Sequence, residues 1–384
     1  PNFASYDRLI AEFMKTHEVP GVAVAVTNHG KLVFSRGYGY ADLDTKEQVT
    51  PQHLFRIASV SKPITAVAVL QLVEEEKLKL DDRVFDILDY ESAIDAAGEN
   101  FDLRLKTITI RQLLQHRGGW DRDQSFDPMF QSVRFAIQLG VKPPANQSAI
   151  ITAMCSRPLD FDPGERYAYS NFGYCLLGRV IEVVAKQSYE EYVQQNILKP
   201  LGITTMKIGR TRLNDRADGE VHYYHPGASN SVFADNLGEK VPSPYGGWYL
   251  EAMDAHGGWI ASAEDLAKFA ACFDNPDCCQ LLSRRSIELM YARPPGKAGL
   301  DKNGKQKVVY YGCGWSVRDL KNGKENYWHI GSLPGTTSIL IRRHDGKDFV
   351  ALINTRTTPS DQSLAGDIDR LLHQAANEVT RWPR

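Results

Sequence analysis

Ser59 and Lys62 lie three residues apart in "FRIASVSKPITAVAVLQL". On a helix such a pair shares one turn, with Cβ atoms about 5 to 6 Å apart, so an amine can reach a hydroxyl. Apolar surroundings strip solvent from an ammonium and lower its pKa, which frees a neutral amine to take the serine proton. The pair therefore has the makings of a nucleophile and its base. A helix N-terminus adds unpaired N–H groups and a positive dipole end, suited to a developing oxyanion. The same residues also fit an N-capping serine followed by a snorkelling surface lysine, and about one S-x-x-K is expected by chance in a chain of this composition.

Two further stretches carry chemistry. In "PGERYAYSNFGYCLLG", Tyr169 and Asn171 flank Ser170, and in an extended loop alternate residues face the same way. A phenol near a lysine ammonium can have a lowered pKa, and an amide offers both donor and acceptor. A core tyrosine beside an N-cap asparagine is the bland alternative. In "YWHIGSLPG", His329, Gly331 and Ser332 lie on or beside a predicted strand. A strand glycine allows a substrate to approach the backbone closely and take a hydrogen bond from the next N–H. His329 could relay a proton or donate to an acyl or carboxylate oxygen, although a lone strand histidine is more often structural.

These residues need a frame that brings them together. The apolar spacing of Phe3, Leu9, Ile10, Phe13 and Met14 predicts a helix that stops at Pro20-Gly21. "GVAVAVT" and "KLVFSRGYGYA" about Asn28-His29-Gly30 predict a β-hairpin. Two strands need neighbours, and these occur at the far end in "KVVYYGCGWSV", "NYWHIG", "TSILIRR" and "FVALIN", before a closing helix from about 360 to 380. The economical fold is α/β: one antiparallel sheet from both termini, flanked by the terminal helices, with a mainly helical insertion. We expect a discontinuous sheet domain over 1–58 and 300–384, and a helical domain with long active-site loops over 59–299.

With 42% hydrophobic residues, 384 residues suffice for a substantial core, and 45 basic against 47 acidic residues leave a net charge of -2. That balance suggests neither nucleic acid nor a membrane surface as partner, so a small molecule is expected. No apolar run approaches the roughly 18 residues of a membrane span, and no leader pattern opens the chain. Residue 1 is Pro. A removed leader would place the protein in the periplasm or outside the cell, and a cytoplasmic location also fits. Six scattered cysteines make no disulfide framework or zinc pattern, although Cys272 with Cys278 or Cys279 in "CFDNPDCC" could close a loop. His222 and His225 are an isolated pair, and neither metal nor other cofactor is expected.

The order and spacing of Ser59-x-x-Lys62, Tyr169-x-Asn171 and His329-x-Gly331 resemble the penicillin-recognising serine hydrolases: class C β-lactamases, DD-peptidases and β-lactamase-like esterases. The resemblance runs over almost the whole chain, through "PGVAVAVTNHGKLVFSRGYGYAD", "IRQLLQHRGGW" and "GGWIASAEDLAKFA". It implies a β-lactamase-like fold with the active site at the junction of sheet and insertion. It also implies that Ser59 is acylated, that Lys62 and Tyr169 share the general-base and general-acid work, and that Asn171 orients the substrate. The backbone N–H groups of Ser59 and Ser332 would form the oxyanion hole, and Tyr169 would activate the hydrolytic water.

His329 stands where class C β-lactamases carry the lysine of a K-T-G box, so a fixed cation is missing unless the imidazole is protonated. Arg342 and Arg343 are near in sequence, but strand alternation sends them to opposite faces. Loop aromatics (Trp120, Tyr223, Tyr224, Tyr245, Trp248, Tyr249, Trp259) would suit an apolar acyl or alcohol group, or anchor their loops. The leading expectation is a carboxylesterase-like hydrolase of small-molecule esters. Amide or β-lactam substrates, as for a DD-peptidase or weak β-lactamase, are the runner-up. A catalytically silent binding or assembly protein on the same scaffold is the other class. Oligomeric state is not legible.

Overall fold

His29 and Gly30 both take positive φ, 48° and 80°, the backbone of a two-residue hairpin loop matched to strand twist. That loop joins β1 (Gly21–Asn28) to β2 (Lys31–Asp42). The computed structural model describes residues 3–360 and 362–383. Its main sheet adds β3 (Glu47–Gln48), β4 (Val309–Tyr311), β5 (Ser316–Asp319), β6 (Glu325–Leu333), β7 (Thr336–Arg342) and β8 (Lys347–Ile353). The strand order is β3-β2-β1-β8-β7-β6-β5-β4. N-terminal β1 thus sits centrally, antiparallel to β8, with Val22 opposite Ile353 and Asn28 opposite Lys347.

Every residue of β1 and β7 is buried, because both faces of the sheet are covered and side chains alternate between them. Val22, Val24, Val26, Ile339, Ile341 and Phe349 pack against α1 (Ala4–His17) and the closing helix. Ala23, Ala25, Leu340, Val350 and Leu352 face the other way, into one continuous core with the helices of the insertion. The closing helix runs Ala365–Glu378, beginning later than the pattern from about 360 suggests.

At the centre of that second core is α2 (Ser61–Glu74), whose residues Ser61 to Leu70 are all buried. A helix apolar on all sides must be surrounded. Its neighbours include α3 (Asn171–Ala185) and the short helix Asp254–Gly257, while α4 (Ala263–Ala271) lies across β1 and β8. Small strands also pair outside the main sheet: Phe55–Arg56 and Lys207–Ile208 on either side of Trp259–Ala261, and a ribbon of Ala228–Asn230 with Lys240–Pro242. No helix is long and apolar enough to cross a membrane among the described residues.

Candidate active site

The backbone before Ser59 is fastened from both sides. Ile57 N–H donates to the Trp259 carbonyl (3.0 Å) and Arg56 N–H to the Tyr223 hydroxyl (2.8 Å). From β7, Thr336 Oγ1 donates to the Arg56 carbonyl (2.9 Å) and Ser338 Oγ to the Ile57 carbonyl (2.6 Å). The Arg56 guanidinium donates to the carbonyls of Pro244, Arg210 and Thr211 and covers the Tyr223 ring at 4.4 Å. On β6, a Cβ at Gly331 would stand 2.1 Å from the Ile57 carbonyl oxygen and 2.2 Å from Ser338 Oγ. The close approach expected of Gly331 is therefore made by the protein's own chain, seating the turn that carries Ser59 on the sheet.

Ala58 has φ of 44°, a left-handed conformation that costs an L-residue roughly 1 kcal/mol and glycine almost nothing. Ala58→Gly is expected to raise stability by at most about 0.5 kcal/mol in urea unfolding, once the added freedom of the unfolded chain is set against the relieved strain. A fall in the midpoint would show that the Ala58 methyl outweighs the strain.

Ser59 lies in a 3₁₀ turn (Ala58–Val60) leading into α2, which has no side-chain cap, so the N-capping alternative does not hold. Lys62 is completely buried. Its Nζ lies 2.8 Å from Asn171 Oδ1, 2.8 Å from the His256 carbonyl and 3.1 Å from Ser59 Oγ. Burial, ahead of any charge, pushes its pKa well below 10.5. A neutral amine has two N–H groups and one lone pair, and the two carbonyl-type oxygens can only accept. They take both hydrogens, which turns the lone pair toward the Ser59 hydroxyl.

The tyrosine reading changes. Tyr169 bonds the Ser59 side chain, yet burial raises its pKa rather than lowering it. The same burial lowers the Lys62 pKa, which weakens the ammonium charge expected to acidify the phenol. Ser170, not Asn171, caps α3, its Oγ accepting from Gly173 N–H (3.2 Å). Asn171 Nδ2 donates to Asp127 Oδ2 at 2.6 Å. Because a carboxylate can only accept, this bond fixes the amide so that Oδ1 faces Lys62.

His329 is placed differently from the expectation that it meets substrate. It is buried, its Nδ1 donates to the Ile330 carbonyl (2.8 Å), and its Nε2 accepts from the Tyr311 hydroxyl (2.9 Å). Burial holds its pKa down to about 3, so the ring is neutral at physiological pH. Around Tyr169 stand three further rings, Tyr311, His329 and His116, with His116 and Tyr169 centroids 4.3 Å apart.

The family described as Beta-lactamase matches residues 6–375. The chain belongs to the Beta-lactamase family. Relatives of this Beta-lactamase family member include Protein flp of Staphylococcus aureus strain COL, 30% identical over 92% of this chain; the chain spans 64% of that protein's length. Penicillin-binding protein 4* of Bacillus subtilis is 26% identical, with coverage of 96% of this chain and 75% of the relative. Among solved structures, the octameric penicillin-binding protein homologue from Pyrococcus abyssi superposes with TM-score 0.71 at 24% identity, covering 97% of this chain and 78% of that one. EstCE1, a hydrolase with promiscuous acyltransferase activity, gives TM-score 0.70 at 19% identity, covering 97% and 98%. Both share the fold.

In this Beta-lactamase family chain, Ser59, Asn171 and Ser332 line a cleft of about 360 Å³ together with Trp248, Met253, Phe130, Leu333, Arg122 and Arg356. Of the loop aromatics singled out in the sequence, Trp248 is the one lining this cleft. Trp120 packs on Phe172, Trp259 donates to the Tyr189 hydroxyl, Tyr223 and Tyr245 stack about Arg56, Tyr224 accepts from Leu43 N–H, and Tyr249 meets Phe233. Arg342 turns inward to Asp274 and Asp348, and Arg343 pairs with Asp345, so neither serves the site. Arg122 and Arg356, which sequence reasoning missed, do line it. Among the described residues no carboxylate lines the cleft and no group of side chains is arranged to hold a metal ion.

Proposed function

We propose that this protein is a serine hydrolase that forms an acyl-enzyme on Ser59 and acts as a carboxylesterase. The observation that carries the reading is the buried amine of Lys62, 3.1 Å from Ser59 Oγ with both of its neutral-form hydrogens committed elsewhere. As Ser59 Oγ attacks the ester carbonyl carbon, its proton passes to Lys62 Nζ and the carbonyl oxygen becomes an oxyanion beside the Ser59 and Ser332 N–H groups. The C–O bond to the alcohol then breaks, and a proton reaches the leaving oxygen through Tyr169, whose hydroxyl bonds the same serine. Water repeats the sequence on the acyl-enzyme and restores Ser59. A neutral His329 removes the cation a K-T-G lysine would supply, and Trp248, Met253 and Leu333 offer an apolar wall.

A second reading, DD-peptidase or weak β-lactamase, is favoured by Arg122 and Arg356 in a cleft without carboxylates, an electrostatic setting for a substrate carboxylate. The test compares p-nitrophenyl butyrate with p-nitrophenyl hemisuccinate, and penicillin adducts by intact mass. The esterase reading expects steady turnover of the neutral ester and no lasting penicillin adduct. A stable adduct on Ser59, with hemisuccinate preferred and that preference reduced about tenfold in Arg356→Gln, one charge-assisted hydrogen bond of about 1.5 kcal/mol, would overturn it for the second.

A further inference from the structure

Helix α4 ends at Ala271 and Cys272 is its C-cap. The following loop is tied down at several points. Asp274 Oδ2 accepts from Gly30 N–H (2.8 Å) and Asp274 Oδ1 from Arg342 (3.2 Å); Arg284 donates to Asp277 (2.7 Å); Cys278 N–H donates to the Asn275 carbonyl (3.0 Å). The loop so held brings Cys279 back to Cys272, with Sγ to Sγ of 3.2 Å. Cys155, Cys175 and Cys313 are buried, Cys272 and Cys279 are half-buried, and Cys278 is exposed.

We propose that Cys272 and Cys279 are an oxidation site that closes to a reversible disulfide, selected over the more exposed Cys278 by the folded loop. Two thiols already in contact on an anchored loop need little backbone movement to join, which is the geometric condition that most cysteine pairs fail. The two thiols are also unlike. A hydrogen bond from Cys272, with backbone N–H groups of Leu281 and Leu282 and the nearby Arg342 charge, holds Cys279 toward its thiolate. The thiolate is the attacking species.

With a peroxide as oxidant the step balances as follows. Cys279 thiolate attacks one oxygen of hydrogen peroxide, the O–O bond breaks, and a sulfenic acid and hydroxide form. Cys272 sulfur then attacks the Cys279 sulfur; the S–S bond forms, the S–O bond breaks, and the departing hydroxide takes the Cys272 proton as water. Two thiols lose two electrons, and the peroxide leaves as two waters. A dithiol reductant reverses the change by exchange. The bridge would lock the end of α4 to the segment that carries Asp274, and so to Arg342 on the sheet.

The test treats the folded full chain with hydrogen peroxide, blocks free thiols, and maps peptides by mass. The expected result is a loss of about 2 Da, a Cys272–Cys279 cross-link, recovery with dithiothreitol, and the same link in Cys278→Ser. A link through Cys278, within or between molecules, would overturn the proposal. So would accumulation of uncrosslinked sulfinic acid, or six alkylatable thiols after treatment. The wild-type map decides the matter even if a variant misfolds.

Discussion

Ser59→Ala is expected to lose at least about 10⁴-fold in kcat on p-nitrophenyl butyrate, the scale seen when a hydrolase nucleophile is deleted. The change removes one oxygen from a half-buried side chain whose backbone is held through its neighbours: Thr336 and Ser338 donate to the carbonyls of Arg56 and Ile57, and Ile57 N–H donates to the Trp259 carbonyl. The fold should therefore survive, with the thermal midpoint moving by no more than a few degrees. A fluorophosphonate probe should label the wild type at Ser59 and leave the variant untouched. Unchanged ester turnover would sink the assignment of the nucleophile. A wild type that neither turns over esters nor takes the probe would favour a silent binding protein.

Lys62→Met is expected to cost about 10³-fold in kcat, the usual worth of a positioned base, and it carries a second readout in stability. Folding buries Lys62 and lowers its pKa well below 10.5. Below that folded pKa both states hold the proton and the unfavourable contribution of burial is complete. Between the folded pKa and 10.5 the unfolded chain holds one more proton, so this contribution becomes less unfavourable as pH rises, and above 10.5 it is gone. Methionine has no such proton. The unfolding free energy of wild type minus that of Lys62→Met should rise by about 1.4 kcal/mol per pH unit as pH climbs from the folded pKa of Lys62 toward 10.5. Paired urea titrations across that range measure the slope; a flat difference would mean that Lys62 is charged in the fold and cannot begin as the base.

The sheet from both termini was legible because hairpin and strand patterns are periodic, and the β8 partner of β1 was implied by two strands that cannot stand alone. Ser59, Lys62, Tyr169 and Asn171 were legible as spaced groups. Asp127, His116, Arg122 and Arg356 were not, since each is a single polar residue on a loop or at an element end, with no period to mark it. The orientation of His329 followed from parity: it pairs with Leu340 and Gly331 with Ser338, the face turned toward the insertion, where burial dominates. What reversed the Tyr169 reading was depth. The nearness of Tyr169 to Lys62 was implied by the resemblance, whereas the desolvation that opposes the charge depends on packing that no local pattern reveals.

The pairing of Val22 with Ile353 also has a kinetic meaning. During synthesis the β1–β2 hairpin emerges early, but its central-edge partner arrives only after some three hundred further residues. Until then the edge of a mostly apolar strand stays open to wrong pairing, and the loop closure that ends this interval is among the slowest kinds of contact to form. Because the turn bearing Ser59 is clamped by Thr336 and Ser338 on β7, the reactive centre can be assembled only at the last stage of folding. A nascent or truncated chain would then carry a serine and a lysine without yet carrying an enzyme.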